Sequence, residues 1–81
     1  MKQNERLIKI DGMLRREPHP SLQDFIKKCC GSENSTATIV RDLNKLKNDF
    51  GRKIIYDSQN RGYHYEENYP CLSPNDFELD N

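Results

Sequence analysis

Residues 35–50, STATIVRDLNKLKNDF, run directly into residues 51–65, GRKIIYDSQNRGYHY, and these two stretches decide the fold. In the first, Ile39, Leu43, Leu46 and Phe50 recur every three to four positions, which is one apolar stripe of an amphipathic helix. Ser35 stands where an N-cap is expected and Gly51 where a left-handed C-cap is expected. In the second stretch, residues 53–57 (KIIYD) are β-branched and aromatic, residues 58–62 supply turn chemistry, and Tyr63-His64-Tyr65 starts a return strand. The reading is a helix followed by a β-hairpin.

Working outward toward the N-terminus, residues 4–16 (NERLIKIDGMLRR) carry Leu7, Ile10 and Leu14 at helical spacing, flanked by Ile8 and Met13. Gly12 weakens that helix or permits close packing. Glu17-Pro18-His19-Pro20 ends it, because proline lacks a donor and pushes the residue before it out of the helical region. Ser21 with Asp24 resembles a capping box that opens a second helix through about Cys29, with Leu22, Phe25, Ile26 and Cys29 on one face. Residues 30–34 (CGSEN) read as a turn. Three helices, the last two joined by a short turn, and then a two-stranded hairpin make an α+β, mainly α, winged helix-turn-helix. The domain is expected over residues 1–67. Residues 68–81, with two prolines, several acids and little periodicity, are expected as an extended or loosely docked acidic tail or linker, with Tyr69, Leu72, Phe77 and Leu79 as anchors.

Composition bounds the function. At 81 residues the chain holds one core, and no apolar run is long enough for a membrane span or a secretory signal, so a cytoplasmic protein is expected. The formal charge is zero, but all 13 Lys and Arg lie between Lys2 and Arg61. Against 8 acids in residues 1–65 they leave the body at +5, while the 5 acids of residues 66–81 make the tail −5. Cys29, Cys30 and Cys71 fit neither a disulfide framework nor a zinc site by spacing, and buried or half-buried free thiols are expected. His19 and His64 could join them only through the fold. The chain has no glycine-rich phosphate loop, no paired His with carboxylate and no Cys/His/Asp grouping with a supporting motif. No enzyme activity, cofactor or metal is expected.

In a winged helix the third helix enters the major groove and the hairpin lies over the flanking backbone. On that geometry Ser35, Thr36, Thr38, Arg41, Asn44 and Lys45 on the third helix, Arg52 and Lys53 at the wing entry and Arg61 at the wing tip are the candidate DNA-binding residues. Hydroxyls, an amide and cations are the groups that meet base edges and phosphates. Arg41 is expected on phosphate or guanine, and Arg61 on backbone or minor groove. Asp42 is expected to orient or pair within the helix. Tyr63 and Tyr65 alternate with His64, so the tyrosines are expected to pack under the wing while His64 points outward.

The run Ser35-Thr36-Ala37-Thr38-Ile39-Val40-Arg41-Asp42-Leu43-Asn44-Lys45-Leu46, with Arg61-Gly62-Tyr63-His64-Tyr65 after it, resembles the recognition helix and wing of the WYL-domain family of bacterial transcriptional regulators. The resemblance covers roughly residues 5–67. It implies sequence-specific double-stranded DNA binding, for repression or activation, by a domain at the N-terminus of a longer regulator. The effector-sensing domain that usually follows is missing here, so this chain is expected either as a fragment of a larger regulator, the favoured reading, or as a domain that stands alone. A homodimer would form through regions absent from this chain. The family commonly carries Arg immediately before the Thr, where this chain has Ala37, so no contact of that arginine carries over. A winged-helix protein-interaction module without DNA binding is the competing expectation. A third is a modulator whose acidic tail, residues 66–81, folds back over the basic face.

Overall fold

The computed structural model describes residues 2–29 and 35–77, and contains three α-helices, a two-stranded hairpin and a short 3-10 turn. Helix α1 (Gln3–Arg16) stops where the sequence requires: Glu17, held extended ahead of Pro18 at φ −97° and ψ 142°, gives its N–H to the Met13 carbonyl. Helix α2 (Leu22–Cys29) opens on the capping box expected from Ser21 and Asp24. The Asp24 carboxylate accepts from the Ser21 N–H (2.9 Å) and the Ser21 hydroxyl accepts from the Asp24 N–H (3.2 Å), so two orphan donors are satisfied reciprocally. The turn at 30–34 and the Ser35 side chain expected to cap the next helix lie outside the described residues.

Helix α3 (Ser35–Asn48) ends two residues before Phe50. There the chain reverses through Gly51 at φ 65°, and the Arg52 N–H returns to the Leu46 carbonyl (3.1 Å). Strands β1 (Ile54–Asp57) and β2 (Gly62–Tyr65) pair antiparallel with Ile54 opposite Tyr65 and Tyr56 opposite Tyr63. Directly opposed residues share a face, so Ile54, Tyr56, Tyr63 and Tyr65 lie on one side of the ribbon and Ile55, Asp57 and His64 on the other. The chain between α1 and α2 runs beside β2, where the Tyr63 N–H donates to the Pro20 carbonyl (2.8 Å). A Cβ on Gly62 would collide with the His19 carbonyl, which is why glycine occupies the first position of β2.

The core lies where the three helices and the inner ribbon face meet. Leu7, Ile10, Met13 and Leu14 from α1, Phe25 and Cys29 from α2, Ile39, Leu43 and Leu46 from α3, Ile54 and Leu72 are all buried. Each large side chain so buried contributes about 1.5–3 kcal/mol against exposure. Leu72 belongs to the segment expected as a loosely docked tail; over residues 69–77 the docking is firm, and it runs through the anchors expected, Tyr69, Leu72 and Phe77. The 3-10 turn η1 (Pro74–Phe77) rests on α1, Phe77 meets Phe50 ring to ring at 5.6 Å, and the Tyr69 hydroxyl accepts from the Lys53 N–H (2.8 Å). Leu79 lies outside the described residues. Among the described residues no helix is long and apolar enough to cross a membrane.

Candidate nucleic-acid interface

Two buried carboxylates position the elements that carry the candidate site. Asp42, on α3 with no exposed surface, takes the Arg6 guanidinium at 2.6 and 3.2 Å and the Gln3 amide at 3.2 Å. It therefore locks α3 to α1, whereas the sequence pointed to a partner within its own helix. Asp11, only 2% exposed, accepts from Arg52 (2.6 Å), Arg15 (2.9 Å), the Tyr65 hydroxyl (2.7 Å) and the Leu72 N–H (3.1 Å). Burial pushes the Asp11 carboxyl up, but the hydrogen bonds from Arg15, Tyr65 and Leu72 outweigh it and hold the group below its ordinary value. Burial, together with the bond to Asp11, pushes the Tyr65 phenol well above its ordinary range. One carboxylate thus joins α1, the α3–β1 link, β2 and the 69–77 segment.

Arg52 belongs to that hub and not to the surface, which corrects its placement among the DNA-contacting residues. It is 6% exposed, its other guanidinium nitrogen donates to the Pro70 carbonyl (2.7 Å), and the group lies over the Tyr65 and Tyr69 rings at 5.6 and 5.4 Å. A phosphate could reach it only by dismantling this network.

The outward face of α3 is different. Opposite the stripe of Ile39, Leu43 and Leu46 lie Ala37, Arg41, Asn44 and Asn48, all exposed. Thr36 is exposed beside them and Thr38 half-buried. Because Asp42 is turned inward, no acid is exposed between Thr36 and Asn48, while Arg41 and Lys47 are exposed and Lys45 half-exposed. Among the described residues Arg41, Lys47 and Arg61 have no ion-pair partner. Lys45 pairs with Asp49 (2.8 Å) and lies on the side of the helix toward Gln3, Asn4 and Phe77. Lys47, read in the sequence only as one of a group with Lys45, Arg52 and Lys53 of which at least two were expected on phosphates, lies toward the wing and shares a cleft with Lys53, Ile54 and Ile55. Its signal was positional: it follows Asn44 by three residues and Val40 by seven, on the flank that meets the hairpin.

On the wing, Asp57 organises the turn. Its carboxylate accepts from the Gln59 N–H (2.9 Å), the Asn60 N–H (3.3 Å) and the Asn60 side-chain amide (2.8 Å), and the Asn60 bonds foremost hold it below its ordinary range. Arg61 follows at φ 56°, exposed at the tip. Lys53 at the wing entry is exposed, with Glu66 and Glu67 each 3.7 Å from its ammonium. These two are the tail acids that pair with a candidate DNA-contacting residue among the described residues; Asp76 of the docked 69–77 segment shares the cleft beside Lys45 without pairing with it.

Tyr63 and Tyr65 pack against the core under the wing as expected. His64 lies on the outer ribbon face as expected, half-buried there with its ring 5.3 Å from that of His19, and Asp57 completes the group. Among the described residues the histidines are thus brought to each other and not to a cysteine. Cys29 is buried as expected, Cys71 is exposed against expectation, and Cys30 lies outside the described residues.

Comparison with protein-family models, with curated proteins and with solved structures returns no match for this chain.

Proposed function

We propose that the chain binds double-stranded DNA through α3 and the hairpin, as the DNA-reading domain of a transcriptional regulator of the WYL type. The observation that carries this reading is the sorting of charge on α3. Its one acid is buried against Arg6, and its exposed surface holds only cations, amides, hydroxyls and small apolar groups. Arg41 and Asn44 supply bidentate groups at the centre of the face, where base edges would lie. Lys47, Lys53 and Arg61 continue the positive charge onto the wing, where the backbone would run. Val40 on the same flank suits a thymine methyl. No cofactor and no catalytic group enters this reading, and a DNA-reading domain of this kind would act in the cytoplasm.

The same surface supports a second reading. Val40 and Ile55, 40% and 37% exposed, flank the α3–wing side, and an interaction module could bury both without DNA.

Fluorescence anisotropy with labelled duplex separates the two. Binding is expected with a slope of log K against log salt of about −4, from the four or five cations that remain once Arg52 is set aside. Arg41→Ala should weaken binding by roughly tenfold with folding stability changed by less than about 0.5 kcal/mol. No binding at low salt would remove the DNA reading and leave the interaction module.

A further inference from the structure

We propose that His19, Asp57 and His64 form a binding site for a divalent transition metal, zinc by donor chemistry, that pins the chain between α1 and α2 to the turn end of the hairpin. His19 lies far from the other two in sequence, and the fold brings it to Asp57 and His64 of the hairpin. His19 comes from the Pro18–Pro20 segment beside β2, Asp57 from the end of β1 and His64 from β2, on the ribbon face turned away from the core.

Each residue offers one ligand atom, and all three atoms lie within 4.8 Å of one another. Zinc held tetrahedrally at about 2.0–2.1 Å needs ligand atoms roughly 3.3 Å apart. The Nε2 of His19 already stands 3.5 Å from an Asp57 carboxylate oxygen. The His64 ring meets the His19 ring edge-on, at 77° between planes, so a small swing of the imidazoles closes the set. Two imidazole nitrogens and one carboxylate oxygen match zinc, with water in the fourth position. Calcium and magnesium require more oxygen ligands than are assembled here.

The groups behind the ligands also fit. The Nδ1 of His64 lies 3.1 Å from the Tyr65 carbonyl; donating there fixes the tautomer that leaves Nε2 free to ligate. Asp57 is oriented by its turn, and its Oδ2 accepts one hydrogen bond, from the Asn60 amide, so a lone pair remains for a metal. The His19 and Asp57 side chains are 30% and 29% exposed, so an ion can enter from solvent. His19 holds a φ of 53°, a conformation that glycine adopts without cost, and yet an imidazole is placed there, above Gly62 whose missing side chain makes room. The site stands whether or not the wing meets DNA.

The test uses the full chain, stripped with a chelator and kept reduced, titrated with zinc chloride by calorimetry and by thermal unfolding. One zinc per chain is expected, with Tm rising by about 10 °C at a hundredfold excess over Kd. His19→Gly removes a ligand while relieving the backbone, so it should fold at least as well without metal and lose the zinc-dependent rise. Asp57→Asn keeps the Oδ1 acceptor for the Gln59 and Asn60 N–H groups, gives up the charged oxygen that would face the metal, and should bind at least tenfold more weakly. No heat and no Tm change in the parent chain would overturn the proposal. So would a zinc response that persists in His19→Gly, or one that disappears when Cys71 is replaced by Ser.

Discussion

The polar hub beneath the hairpin and the exposed face of α3 are built from the same residue types and use them in opposite ways. In the hub every charge is consumed: Asp11, Arg15, Arg52 and Tyr65 bond to one another, and the guanidinium of Arg52 also covers two tyrosine rings. On α3 the acid is withdrawn into a pair with Arg6, and Arg41 and Lys47 face outward without a pairing acid among the described residues. A charge inside a small domain must be matched to survive desolvation, whereas a charge left unmatched on a surface is available to a partner. Counting cations along a chain cannot make that distinction, and Arg52 shows the error.

The comparison is broken most forcefully at Asp11. Asp11→Ala leaves Arg52 buried without its counter-charge and should cost about 3–5 kcal/mol in urea unfolding, enough to unfold much of the population of so small a domain. A loss under 1 kcal/mol would show that the hub does not hold the fold together.

Acid should act on the same group more gently. The folded state holds the Asp11 carboxyl below its ordinary value, so its contribution is complete above the unfolded value of about 3.9 and disappears as pH falls from there through the folded value. The urea midpoint should therefore drop between pH 6 and pH 3, and by less in Asp11→Asn, which has no carboxyl to protonate. Equal drops in the two proteins would place the acid sensitivity elsewhere.

The smallest effect is expected at the wing tip. Arg61 adopts φ 56°, so Arg61→Gly should stabilise the domain by about 0.5–1 kcal/mol. It should also lower DNA affinity and reduce the salt slope by about one. Stability and binding moving in opposite directions is the signature of a strained residue retained for contact.

The regular elements were legible in the sequence because local chemistry specifies them. Ile39, Leu43 and Leu46 wrote the buried stripe of α3, Ser21 and Asp24 wrote the start of α2, and Gly51 wrote the turn into the hairpin. The two carboxylates were legible in retrospect. Asp11 sits four residues after Leu7 and three before Leu14, and Asp42 sits three after Ile39 and four before Leu46, so each falls on an apolar stripe where a solvated acid has no place. Their partners were not legible, since Arg6, Arg52, Tyr65 and Leu72 reach them only through the tertiary fold. The same holds for residues 69–77, which lack periodicity but are tied down by Leu72, Tyr69 and the Pro70 carbonyl. Of the candidate site, the exposed row on α3 was legible from periodicity. Lys47 was legible only as one of a group with Lys45, Arg52 and Lys53 around the helix and wing entry, and Arg52 was misplaced because Asp11, Tyr65 and the Pro70 carbonyl reach it only through the fold.

The most direct test of the central claim is an amide NMR titration of the chain with duplex DNA at two salt concentrations. The account predicts salt-sensitive shifts concentrated on residues 36–48 and on 53–63, with Asp11 and Leu72 unmoved. Shifts absent at low salt, or confined to α1 and residues 69–77, would contradict it.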